Sequence, residues 1–273
     1  RHRSVLDEQR ILGRSPHAGF GDRLSVKLVE QVYAQMRDTA ADLDRFYSLL
    51  SRLESFAGQG LRLDAYSQKA AFPLRGVYFF RETGEYRSSK PSVARIVRVG
   101  THAVSVGSKS TLWGRLKAHR GTRVGGGNHR GSIFRLHIGA ALLVRDQVSL
   151  PTWGIGSSAP PAVRESATIR AAEAAWEQKV SEYLGAMTIL WVDVLDEAGP
   201  HSNRTFIERN AIALLSNHLA PTEPPSRGWL GHHSPRYDIR QSSLWNLKHV
   251  DETYDPRFLD DLEAAIEQMG QQF

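Results

Sequence analysis

Residues 186–196, AMTILWVDVLD, are nearly continuous in apolar residues. A strand of that kind is covered on both faces, as a central strand is, and it predicts a buried sheet around which the rest of the chain is arranged. Two shorter runs can join it. LRGVYFFRE (74–82) follows Pro73 and precedes the turn-like ETGE, and ARIVRVGTHAV (94–104) alternates at Ile96, Arg98 and Gly100. Together they predict a hairpin with a loop of about a dozen residues.

Helical patterns surround these runs. Leu28, Val32 and Met36, then Leu43, Phe46, Leu49, Leu50 and Leu53, predict a helix over 24–56 that GQG (58–60) ends. Ser110 or Thr111 caps a helix reaching about Arg120. Further helices are expected over 133–143, 162–184, 203–218 and 255–269, with loops at 121–132 and 151–161. The order β, β, α, long connection, β, α predicts an α/β (α+β) fold. It has a small mixed β-sheet of about three strands flanked by helices, and it excludes a doubly wound sheet. The expected organisation is a helical N-terminal extension (1–72), a core (73–219) with an inserted helical segment at about 121–186, and a C-terminal loop and helix extension (220–273). No internal repeat is visible.

The 273 residues, 41% hydrophobic and 23% charged, suit a globular chain. No apolar run approaches the roughly 18 to 20 residues that span a bilayer, so no membrane association is expected. The absence of cysteine excludes disulfides, thiolate metal sites and a cysteine nucleophile, and fits a cytoplasmic protein. No signal peptide is visible, although the sequence begins at Arg1.

Charge is unevenly distributed. The formal net charge is +6, yet from Tyr86 to Arg145 there is no Asp or Glu, and the same stretch holds twelve Lys or Arg. This predicts a polyanion-binding surface, the plainer alternative being a solvated basic face. GTRVGGGNHRGS (121–132) is glycine-rich and basic, but it does not lead from strand to helix and lacks GK[ST], so it is not a nucleotide phosphate loop.

Several side chains carry possible chemistry. Tyr78 on the first strand is a packed strand aromatic or a catalytic phenol. Arg115 and His119, four apart, share one helix face bordered by Leu112 and Leu116. They form a helix edge or a pair aimed at a phosphate. Glu208 shares its face with Ile212 and Leu215, where a carboxylate is costly unless an arginine or a metal ion neutralises it. His129, His137, His232 and His233 fit no zinc spacing. Surface roles are expected for them, or phosphate contact for His129 beside Arg130.

GVY (76–78), RVG (98–100), a helix with Arg115 and His119, a strand, and a helix with Glu208 together resemble the GIY-YIG nuclease superfamily. The likeness runs in broken form over 73–219, with one later piece. The histidine four residues after the arginine is similar to the restriction-endonuclease-like branch. The resemblance implies a magnesium-dependent DNA endonuclease hydrolysing phosphodiester bonds, with restriction or defence as its setting. It implies that Tyr78 positions or deprotonates water and that Arg115 stabilises the phosphoryl oxygens. Glu208 would be the one protein ligand of a single Mg2+ (or Mn2+) ion. Asn246, in LWN (244–246), matches the asparagine of restriction-like members, whereas Asn217 faces away from Glu208. The family's second tyrosine is Arg98 here. Arginine is no base, but it can hold a phosphate with two donors, which leaves water activation to Tyr78 and His119. DNA contacts are expected from Arg98, Lys109, Lys117, Arg120, Arg123, His129 and Arg130. Double-stranded DNA is the favoured partner, and a homodimer is compatible with it. The alternative is a non-catalytic nucleic-acid-binding module on the same scaffold, with Arg98 marking lost catalysis. A structural protein with a basic face is a weaker third reading.

Overall fold

In the computed structural model of the chain, which describes residues 38–56, 58–66, 72–155 and 158–271, the expected strands form one sheet. They are β1 (Gly76–Tyr86), β2 (Ala94–Gly100) and β3 (Thr188–Asp193), in the order β2-β1-β3. Pairing is antiparallel throughout rather than mixed. Residues 1–41 and 42–273 are separate compact units. Most of the first lies outside the described residues, as does the 24–37 part of the expected N-terminal helix. The sheet and the candidate site belong to the second.

The apolar run at 186–196 is an edge strand, and β1 holds the centre. β3 reads as central because its free edge is filled by irregular chain. Gly60 N–H donates to Ile189 O, Ile189 N–H to Leu61 O, and Leu63 N–H to Met187 O. The Gln59 side chain donates to Trp191 O and accepts from Trp191 N–H, as a strand backbone would. The edge therefore presents no open row of backbone groups, which an unprotected apolar edge would expose to pairing with other chains.

ETGE is not the hairpin turn. β1 runs through it to Tyr86, with irregular register after Phe80 and Gly84 at φ 88°. The extra residues are absorbed as an irregularity in the ladder, where a glycine at positive φ is suited.

Helices cover both faces. On one, Phe46 from α1 (residues 38–54) meets Phe79 of β1 edge-on at 5.8 Å and Phe258 of α8 (Phe258–Gly270) at 6.3 Å. On the other, Tyr78 and Phe80 meet α2 (Leu112–Arg120) and α3 (Ile133–Asp146), with Phe80 and Phe134 5.3 Å apart. This is the two-sided alternation of a strand. The single helix expected over 162–184 is two, α4 (Pro161–Arg164) and α5 (Ala167–Ala186), because the Ser166 side chain accepts from Ile169 N–H and starts a new helix. α6 (Asn203–Leu215) and the short α7 (Tyr237–Ser242) complete the described α-helices. None of them is long and apolar enough to cross a membrane.

Candidate active site

Two glycines seat Tyr78. In the sheet register Tyr78 lies opposite Gly100 on one side and Trp191 on the other. A Cβ on Gly100 would fall 2.3 Å from the Tyr78 hydroxyl, and one on Gly76 would fall 2.3 Å from Val192 O. Neither glycine has positive φ. Both are needed for close approach: one lets the phenol lie across β2, and the other lets β1 close against β3.

The phenol meets the α2 histidine. Tyr78 Oη is 2.9 Å from His119 Nε2, and His119 Nδ1 is 2.7 Å from Ser132 Oγ. Thr111 caps α2 by accepting from Gly114 N–H, and Leu112 and Leu116 anchor its inner face. His119 is thereby carried fully inside. Burial holds its imidazole well below its ordinary pKa, and the cations Arg115, Arg98 and Arg135 push the same way. His119 is therefore neutral near pH 7.

In front of this pair lies a cleft of about 780 Å³. Arg98, Arg115 and Glu208 line it, as do His102, His137, Lys248 and His249. Tyr78 and His119, 1% and 0% exposed, lie behind its wall. Arg98 lines the cleft and also interacts with the Tyr78 hydroxyl, so it stands at the second-tyrosine position as the link between the two. Its guanidinium donates to Trp245 O and lies 4.6 Å from the Phe134 ring. Arg115 has no ion pair or hydrogen bond to a side chain among the described residues, yet it is close enough to bear on Arg98, His102, His119 and Glu208.

Glu208 projects from α6. The start of that helix is pinned by the buried Arg204, which pairs with Asp196 and donates to His102 O. One Glu208 oxygen accepts from Thr101 N–H at 3.1 Å, and the other has no partner among the described residues. Burial raises its pKa, against the pull of Arg98, the Thr101 N–H, His249 and Arg115. Among the described residues no three His, Asp or Glu converge as a ligand set. A single hard oxygen donor beside open space fits magnesium, which keeps several of its waters.

Asn246 reaches the cleft with its amide already committed. Its Oδ1 accepts from Val99 N–H and its Nδ2 donates to Val99 O, so it extends β2 as another strand would. The segment is held by Glu82, which accepts from the indoles of Trp229 and Trp245 and from the Tyr183 hydroxyl. Asn217 staples the loop after α6 through Thr222 and Glu223.

The residues expected to touch DNA divide. Lys109, Lys117 and Arg123 are exposed. Arg130 is paired with Glu173, and Arg120 donates to Tyr66 O and packs over the Trp113 ring at 5.0 Å. His129 is 1% exposed, stacked on Trp153 at 3.9 Å and bonded to Glu177. A surface role does not describe His129 or the buried His137, while His232 and His233 are exposed. The sequence reading assigns no place in the site to Ser132, His102 or His137. A capping serine ahead of IFRLH is a readable signal for Ser132, but its histidine partner is not.

No curated protein and no solved structure matches the chain. A family model described as "GIY-YIG domain" matches residues 37–272, from α1 to the end of α8. That span holds both motif glycines, the Tyr78–His119 pair and the Arg115–Glu208 cleft, and by it the chain belongs to the GIY-YIG domain family, a nuclease family.

Proposed function

We propose that the chain is a divalent-metal-dependent endonuclease that hydrolyses phosphodiester bonds in double-stranded DNA, of restriction or defence type and cytoplasmic. One observation carries this reading. Among the described residues, an arginine without a side-chain partner, Arg115, and a carboxylate with one unpartnered oxygen, Glu208, face one cleft, with a hydrogen-bonded Tyr78–His119 pair behind it.

In this reading Arg115 and Arg98 hold the phosphate, and Arg115 takes up the charge that develops on the phosphoryl oxygens. Tyr78, with His119 behind it, orients water and, as the phenolate, accepts its proton. Glu208 would hold one Mg2+ or Mn2+ ion, which when bound supplies charge stabilisation at the leaving oxygen. Asn246 fixes the edge of β2 on which Arg98 stands. Lys109, Lys117 and Arg123 contact the backbone beyond the cut. One cleft serves one strand, so cutting both strands in a single encounter calls for a second copy.

The second reading is a nucleic-acid-binding module without catalysis. It is favoured by the closure of Tyr78 and His119 behind the cleft wall and by Arg98 at the second-tyrosine position. Plasmid nicking with and without magnesium separates the two, with Glu208→Gln as the control. Glutamine keeps the fit against Ile212 but not the metal-holding charge. The variant should bind DNA at least as well as the parent and cut about a hundredfold more slowly or worse. Normal cutting by Glu208→Gln places the metal elsewhere, and no cutting by the parent supports the binding module.

A further inference from the structure

We propose that Ser132 is a positioning residue whose hydroxyl fixes His119 as the Nε2–H tautomer, making the histidine the donor in its hydrogen bond to Tyr78. Ser132 Oγ has two partners among the described residues. It accepts from Arg135 N–H at 3.3 Å as the N-cap of α3, and it lies 2.7 Å from His119 Nδ1. A backbone N–H only donates, so that contact takes an oxygen lone pair and leaves the hydroxyl proton to be placed. Among the described residues, His119 Nδ1 is the one group within reach that can accept it. An imidazole that accepts at Nδ1 and is neutral carries its single proton on Nε2. That nitrogen is 2.9 Å from Tyr78 Oη, and the phenol oxygen accepts.

The polarity of this chain assigns the proton traffic, a step that rests on the nuclease reading. The Tyr78 oxygen then accepts from His119 Nε2–H and faces the Arg98 guanidinium, which can only donate, so the phenol's own proton is directed at neither. Tyr78, having released its proton to solvent, takes a proton from the attacking water as the phenolate and becomes the phenol, while His119 keeps its Nε2–H and holds the oxygen. Neutrality of His119 is enforced by burial and by three neighbouring cations.

Ser132 is itself held rigidly. It is 1% exposed, and Arg135 on the same helix joins the Glu177 carboxylate, His119 O and Arg120 O. The segment between α2 and α5, where DNA contacts are expected from Arg123, His129 and Arg130, therefore also braces the candidate catalytic pair from behind.

The test is nitrogen NMR of the full chain labelled in its histidine rings, with His119 identified by the signals lost in His119→Gln. The parent should show a protonated Nε2 and an unprotonated Nδ1, and a proton on Nδ1 in the parent overturns the proposal. Ser132→Asp keeps an acceptor for the α3 cap but cannot donate, so it should put a proton on Nδ1. Ser132→Thr keeps the hydroxyl and should retain the parent pattern. If Ser132→Asp leaves Nδ1 bare, another group sets the tautomer and the assignment to Ser132 fails. In single-turnover cleavage Ser132→Asp should be slower by about tenfold or more, with Ser132→Thr close to the parent. The spectra need no cleavage, so a parent that binds DNA without cutting sinks the nuclease reading alone.

Discussion

The cations between Tyr86 and Arg145 form two populations that differ in what faces them. Arg87, Lys90, Arg95, Arg130, Arg135 and Arg145 are paired with Asp44, Glu223, Glu85, Glu173, Glu177 and Asp146, all outside that acid-free stretch. Arg98, Lys109, Arg115, Lys117, Arg120 and Arg123 have no ion pair among the described residues, and they gather at the end of β2 and along α2 and its flanks. Within the paired half, Arg87, Arg95, Arg130 and Arg135 are internal scaffolding, most firmly where Arg135 meets Glu177 between α3 and α5, whereas Lys90 and Arg145 pair at the surface. The other half lacks carboxylate partners but differs in place: Lys109, Lys117 and Arg123 are exposed, Arg98 and Arg115 line the cleft, and Arg120 is turned inward onto Tyr66 O and Trp113. A charge run in sequence is thus an upper limit on the binding surface, because folding neutralises the part that meets carboxylates.

The sharpest way to break the contrast is to remove an acid from the scaffold. Glu177→Ala strands the buried Arg135 and removes the partner of His129. It should cost about 3–5 kcal/mol in chemical denaturation. Replacing both Glu177 and Arg135 with apolar residues should cost less than the single change, since the desolvation cost of an unpaired charge is then gone. A loss under about 1 kcal/mol for Glu177→Ala would show the pair behaving as a solvated surface bridge.

Acid should split the two regions next. Burial lowers the cleft-side His137 to about 4, with Arg98 and Arg236 adding to the shift. The unfolded chain takes up this proton as pH falls through about 6.5 and the folded chain only near 4, so stability falls across that window and is level above it. His137 alone accounts for up to about 3 kcal/mol. The scaffold carboxylates Glu173 and Glu177 are held below their ordinary value, chiefly by Arg130 and by His129 with Arg135 against the cost of burial. Their contribution is present above about pH 4.5 and lost below it. Melting curves of the parent and His137→Gln between pH 7 and 4 should differ in slope in the upper window. Parallel curves would remove the assignment.

On the cleft side, Arg115→Ala should slow single-turnover cleavage by about 10², or about 2.7 kcal/mol, with little change in folding or DNA affinity. A matching loss of affinity and rate would mean that Arg115 only binds.

The smallest effect tests the outer rim. Lys117→Gln with Arg123→Gln should leave the melting temperature unchanged and weaken binding to every sequence alike. The slope of log affinity on log salt should be shallower by about 2. An unchanged slope would place the DNA away from this face of α2.

Local chemistry made much of the fold legible in the sequence. The capped α2 with Leu112 and Leu116 inside, the three strands and the α6 face of Ile212 and Leu215 follow from periodicity and capping, which depend on near neighbours. The same local order exposed Arg115, His119 and Glu208 as side chains at the margin of an apolar face. Tertiary structure decided what depends on distant partners. An apolar run reports burial, not position in the sheet, so only the fold could show β3 at an edge filled by Gln59–Leu63. It alone turned Arg120, His129 and Arg130 inward and committed the Asn246 amide to Val99. It also joined Ser132 to His119 and Tyr78, since a hydrogen bond between residues 13 and 41 positions apart leaves no periodic trace in the chain.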